Sequence, residues 1–299
     1  MNFRKSASRY GLPVLGMVGL LSLHVWAGSL AWAQNPPQQS SERPPYRVAE
    51  RTRPNADEIR AMLTPQPNEH PLMPTLRLAR FGLQQMEKLQ DYSCILLKRQ
   101  RIEGKLTEPE FTFVKIRQKP FSVYMRFLAP PAVKGQETIY VEGANHGKMW
   151  AHGTGVKKMF GTVELEPTGP IAMRGNLYPI TELGVQNLIR RLIEVGDKDT
   201  QYGECEVKCF QGAKINNRPH TYIQVVHPVP RRNFLFHEAR IFIDDELNLP
   251  TRFESYDWPS QRGGPPEEIE EYTYLNMKLN NGFGDLDFDI HNPAYGFKR

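Results

Sequence analysis

The chain has 299 residues, 39% of them hydrophobic, 24% charged and 10% aromatic, enough apolar material to build a core for one large domain or two small ones. Its net charge of +5 includes Arg4, Lys5 and Arg9 of a leader with no acid, so the chain without that leader carries only +2 and offers no electrostatic footprint for nucleic acid. The leader also holds the only long apolar run, which excludes a multi-span membrane protein.

In chain order, the basic start "MNFRKSASRY", the apolar run "LPVLGMVGLLSLHVWAG" and the small-x-small site Ala31-Trp32-Ala33 make residues 1–33 a secretory signal. An uncleaved anchor is the alternative, because the run is nearly long enough to span a bilayer. Either way the signal implies export to the periplasm or cell envelope. Residues 34–73 are rich in Pro, Gln, Arg and Glu, a composition expected to form a flexible spacer with one helical turn near Ala56–Leu63. A domain over 74–299 then opens on an amphipathic helix, with Leu76, Ala79, Leu83, Met86 and Leu89 on one face.

The rest of the domain mostly alternates as strand. A turn at Glu103-Gly104-Lys105 separates two strands, and "FSVYMRFLA" puts Phe121, Val123, Met125 and Phe127 on one face. "ETIYVEGANHGKMWAHG" reads as a hairpin turning at Gly143–Gly147. "PITELGVQNLIRRLIEVGD" returns to helix with Thr181 as its N-cap and Leu183, Leu188, Leu192 and Val195 among its apolar positions. Five strands close the chain: "CEVKCFQG", "HTYIQVVHP", "FLFHEARIFID", "TRFESYDW" and "EEYTYLNMKL". A sheet with one apolar face and two amphipathic helices must bury those faces together.

Few residues promise chemistry. Asp244, Asp245 and Glu246 fall between two neighbouring strands, where Asp and Asn favour turns, and are expected to be a solvated hairpin tip. Glu267-Glu268 and Glu270-Glu271 are expected to be solvated at the start of the last strand, with a paired-carboxylate role as the alternative. The histidines form no H-E-x-x-H pair, and no G-x-S-x-G elbow or G-K-[ST] loop exists. Cys205 and Cys209 with His220 lack a fourth zinc ligand, so neither a metal nor a cofactor is expected. Cys94, Cys205 and Cys209 leave at least one thiol unpaired, and any disulfide would involve Cys94, since Cys205 and Cys209 on one strand lie about 13 Å apart. No catalytic residue is assigned.

The stretches "DYSCILLKRQRIEGKL", "KPFSVYMRFLAP", "KGQETIYVEG" and "LNLPTRFESYDWP", in that order, resemble an uncharacterised bacterial exported family, the domain-of-unknown-function family 1571. More distantly, the order helix, strands, helix, strands and a terminal D-x-D-F resembles the periplasmic lipoprotein-carrier superfamily, which includes the outer-membrane lipoprotein carrier and receptor and a stress-sensing sigma-factor regulator. That resemblance implies an α+β fold, a strongly curved antiparallel sheet forming an incomplete β-barrel covered by helices, with an apolar cavity between them. Phe121, Val123, Met125, Phe127, Met149, Leu188 and Leu192 are the candidate lining, and Met159 and Met173 share the expected inner face. Met adapts to irregular shapes, which suits an acyl chain. Arg231 and Arg232 are candidates for a phosphate or carboxylate headgroup. Three functions stay open: a carrier of lipid or lipoprotein, an interaction or sensing module with a filled core and an envelope protein as partner, and, with least support, a hydrolase.

Overall fold

The computed structural model describes residues 56–261 and 263–297, so the signal expected at 1–33 and residues 34–55 of the expected spacer lie outside the described residues. The helices are α1 (Ala56–Leu63), α2 (Met73–Met86), α3 (Pro170–Met173) and α4 (Val185–Asp199). The strands are β1 (Asp91–Ile102), β2 (Lys105–Leu106), β3 (Glu110–Arg117), β4 (Ser122–Ala129), β5 (Glu137–Val141), β6 (Met149–His152), β7 (Thr162–Leu165), β8 (Glu206–Ile215), β9 (Arg218–Val226), β10 (Glu238–Asp244), β11 (Leu249–Asp257) and β12 (Glu267–Leu279).

All strands join one antiparallel sheet ordered β7-β6-β5-β4-β3-β1-β12-β11-β10-β9-β8, with β2 folded back on β1. The chain starts in the middle of the sheet and winds out to β7. It crosses through α3 and α4 to the opposite edge and winds back, so β12 lies against β1 from Tyr92↔Leu279 to Gln100↔Glu270. The edges β7 and β8 do not meet, which leaves an incomplete antiparallel barrel covered by helices. The pairing of β1 with β12 is the step that local pattern cannot reveal, because its partners lie far apart in sequence.

Alternation assigns the two faces. Tyr92, Cys94 and Leu96 of β1, Val114 and Ile116 of β3, and Val123 and Met125 of β4 form a core with Met86, Val185 and Ile189 of the helices. A second cluster joins Leu72, Leu76 and Leu78 to Ile223, Val225, Ala239 and Phe253. On the other face, Tyr124 and Ile139 are closed over by Phe288. The C-terminal segment is held there by Asp91, which accepts N–H bonds from Gly282 (3.0 Å) and Phe283 (3.1 Å), and by Lys115, which bonds Asp287 (2.7 Å).

Residues 56–73, assigned by composition to the spacer, hold α1 where a helical turn is expected, and this part packs on the domain. Ile59, Met62 and Leu63 of α1 pack on the second cluster, and Leu72 is buried. Arg77 ties the segment down by donating to the carbonyls of Met62 (3.2 Å) and Thr64 (2.8 Å) and pairing with Glu69 (2.5 Å). The Pro/Gln-rich composition belongs to the longer stretch 34–73, and three apolar residues on one short helix suffice to dock this part of it once α2 supplies a surface. Residue counts miss that arrangement.

The hairpin between β10 and β11 is a turn, with one exception inside it. Asp245 and Glu246 are exposed, whereas Asp244 is buried. Asp244 accepts from the Arg218 guanidinium (2.8 Å to Oδ1) and from the backbone N–H groups of Glu246 and Leu247 (2.9 Å each). Burial pushes its carboxyl up, but Arg218 and the two N–H donors outweigh that and hold it below the usual aspartate value. Asp244→Ala is expected to cost about 1–3 kcal/mol, while Asp245→Asn stays within about 0.5 kcal/mol. Because the folded value is depressed, the Asp244 contribution is complete above the unfolded pKa and is lost as pH falls through the folded one. Urea melts of both variants across the acid range check this. Equal, small losses would return Asp244 to the solvated tip.

The three cysteines are unpaired. Cys94 is buried in the central strand, and burial pushes its thiol up to about 12.

Candidate functional site

A cavity of about 1410 Å³ lies between the sheet and the helices, lined from α2, α4, the segment Ile171–Leu183 and strands on both halves of the sheet. It exceeds the roughly 300–1,000 Å³ of ordinary small-molecule clefts. Its geometry begins at the helix covering it. The chain enters α4 at Gly184 with φ +108°, a conformation suited to glycine. Gly184 has no side chain to cap the helix. Instead the buried Tyr92 hydroxyl of β1 accepts the Val185 N–H (2.9 Å). The helix therefore starts at Val185, after a 3-10 turn at Ile180–Glu182. Thr181, the N-cap expected from sequence, instead offers its carbonyl to the Asn187 amide (3.2 Å). Farther along, Gly196 lets α4 approach α2, since a Cβ there would stand 2.8 Å from Leu76 Cδ2.

Of the lining residues expected from sequence, Met125, Phe127, Met149, Leu188 and Leu192 all line the cavity. Phe121 and Val123 do not: Val123 is fully buried in the sheet–helix core, and Phe121 packs against that core beside Tyr140. Leu188 touches both core clusters, while Leu192 packs on the second. Met159, expected inside, is 85% exposed. Phe160 (74% exposed), Ile171 (68%) and Leu235 (57%) line the cavity where it reaches solvent.

Arg231 and Arg232 are exposed residues of the loop between β9 and β10, and neither lines the cavity. Arg231 is paired with Glu204. The structure thus separates the expected headgroup residues from the expected chain-binding residues, although Leu235 and Phe236 of the same loop line the cavity.

The polar part of the lining lies elsewhere. Lys98 bridges Glu110 (3.0 Å) and Asn176 (2.6 Å). Beside it, buried Gln100 donates to the Tyr272 hydroxyl and accepts the Leu177 N–H (3.3 Å). Glu270, only 6% exposed, accepts at Oε1 from Ser255 (3.1 Å) and Tyr178 (3.3 Å). Burial pushes the Glu270 carboxyl up, opposed by the hydroxyls of Ser255, Tyr178 and Tyr272. Burial and the Glu270 charge push Tyr178 and Tyr272 up, so both remain phenols and donors. Glu270 and Glu271 are both buried, correcting the expectation of solvated acids. They point apart: Glu271 meets Arg252 (3.3 Å) and Thr273 (3.0 Å), and Glu270 joins the cavity. Period two places Glu270 on the face of Tyr272 and Tyr274, a signal present in the sequence itself.

Among the described residues, no group of three or more His, Cys, Asp or Glu could hold a metal ion. His220 is buried with its ring nitrogens against the Arg218 carbonyl (2.9 Å) and the Thr251 hydroxyl (2.8 Å), so it is not free to join Cys205 and Cys209. No helix among the described residues is long and apolar enough to cross a membrane.

No curated protein sequence matches the chain. Among solved structures, the chain is similar to the Mycobacterium tuberculosis lipoprotein LppX, at 12% identity and TM-score 0.41, over 72% of this chain and 97% of that one. An uncharacterized conserved protein from Thermus thermophilus is similar at 10% identity and TM-score 0.40, over 72% and 92%. A LolA superfamily protein from Nitrosomonas europaea is similar at 10% identity and TM-score 0.28, over 71% and 97%. The family of unknown function DUF1571 matches residues 89–297, from the start of the sheet through the C-terminal segment, and the chain belongs to that family.

Proposed function

We propose that this protein is an exported cell-envelope binding protein that holds the apolar chain of a lipid or lipidated partner between its sheet and its helices. The observation that carries this reading is the cavity of about 1410 Å³, with Met125, Phe127, Met149, Leu188 and Leu192 in its lining. Thioether and branched side chains adapt to a flexible chain without fixing its conformation, and burial of each methylene contributes about 0.8 kcal/mol. The exposed Phe160, Ile171 and Leu235 at its edge give an apolar chain a path inward. Export rests on the leader at 1–33.

Native mass spectrometry of the protein purified from the envelope of the cell that makes it tests the reading. The expected spectrum contains a species heavier than the polypeptide by one amphiphile, lost on delipidation and regained on adding lipid extract. Polypeptide mass alone, with no uptake of the apolar fluorophore N-phenyl-1-naphthylamine, would favour a filled interior and an interaction module.

A further inference from the structure

The cavity lining is not uniformly apolar, and its polar part has an uneven hydrogen-bond balance. Glu270, Tyr178, Tyr272, Ser255 and Gln100 come from β1, β11, β12 and the segment before α4, and all five line the cavity. The hydroxyls of Ser255 and Tyr178 both donate to Oε1 of Glu270. The Tyr272 hydroxyl accepts from Gln100 and also steadies the Glu270 charge. Oε2 of Glu270 is buried and has no hydrogen bond of good geometry. A buried carboxylate oxygen left without a donor costs about 1–3 kcal/mol or more, so such an atom in a cavity wall marks a place where something else donates.

Two cations of the lining are engaged, and Arg174 and Arg190 also line the cavity. Lys98 is held by Glu110 and Asn176. Arg191, whose charge reaches Glu270, is an exposed residue of α4 paired with Glu194 at 3.6 Å. An anionic head placed here would face the Glu270 carboxylate itself, an arrangement in which one of two carboxylates must take up a proton. A hydroxyl or an ammonium would bring a further donor to this carboxylate.

We propose that Glu270, with Tyr178, Tyr272, Ser255 and Gln100 around it, is the headgroup site of this cavity, and that it selects amphiphiles whose head donates a hydrogen bond, a hydroxyl or an ammonium, over those with a carboxylate. This rests on the cavity reading above and adds the class of head that the cavity takes. It also moves the headgroup site from the Arg231 loop to the sheet.

The test is displacement of N-phenyl-1-naphthylamine at neutral pH by three probes with the same fourteen-carbon chain: tetradecanol, tetradecylammonium and tetradecanoate. The wild-type protein is expected to bind the alcohol and the ammonium at least about tenfold more tightly than the carboxylate. Glu270→Gln is expected to lose at least about tenfold for the ammonium and to narrow or reverse its preference over tetradecanoate. If that variant fails to fold, the wild-type order alone decides. Tetradecanoate binding as tightly as the other two, or an unchanged order in folded Glu270→Gln, would overturn the headgroup assignment while leaving the cavity reading intact. Fluorophore uptake without displacement by any probe would also overturn the headgroup assignment. Failure of the fluorophore and all three probes to bind would overturn both.

Discussion

Gly184→Ala is expected to destabilise the protein by about 2–6 kcal/mol. Two costs add. The backbone at φ +108° lies outside the conformations that an alanine adopts easily, a strain of about 1–3 kcal/mol. The new Cβ would also stand 2.7 Å from the Tyr92 hydroxyl and 2.9 Å from Ile116 Cδ1, both buried in the sheet–helix core, and overpacking of that kind costs about 1–3 kcal/mol. Relief would require α4 to lift, which would break the bond from the Val185 N–H to Tyr92 at 2.9 Å. Gly196→Ala is the internal comparison. Its Cβ would meet only the end of the Leu76 side chain, and alanine gains about 0.5–1 kcal/mol over glycine inside a helix. Urea melts should therefore show a large loss for the first variant and a loss under about 1 kcal/mol for the second. A small loss at Gly184 would mean that the Tyr92 hydroxyl does not fix the start of α4.

How much of the fold is legible in the sequence depends on the range of the forces involved. The β4 face carrying Val123 and Met125 and the five closing strands are set by alternation between neighbours, and the structure has them where the pattern puts them. The family is legible too, because its stretches occur in order along the chain. The short strand β7 escapes the pattern, since Thr162–Leu165 offers only four residues of it. The expected start of α4 at Thr181 is wrong because the cap comes from Tyr92, far away in sequence. Asp244 shares the turn composition of its neighbours, yet its burial depends on Arg218, twenty-six residues earlier. The site divides in the same way. The apolar lining at Met125, Phe127 and Met149 is visible as strand alternation. The polar cluster assembles Gln100, Tyr178, Ser255 and Glu270 from four separate parts of the chain, and no local pattern joins them.

The binding reading depends on one property of the interior, that space exists beside Met125 in the folded protein. Met125 is 8% exposed, belongs to the core cluster and also lines the cavity, so it distinguishes a filled interior from an open one. Met125→Trp is therefore the most direct test, read as a urea melt beside a titration with N-phenyl-1-naphthylamine on the same preparation. With open space next to the side chain, the indole enters it. Stability should stay within about 1 kcal/mol of the parent, and uptake of the fluorophore should fall at least about tenfold because the chain site is occupied. A loss of about 1–3 kcal/mol from overpacking, in a protein whose parent takes up no fluorophore, would contradict the account and leave a filled core.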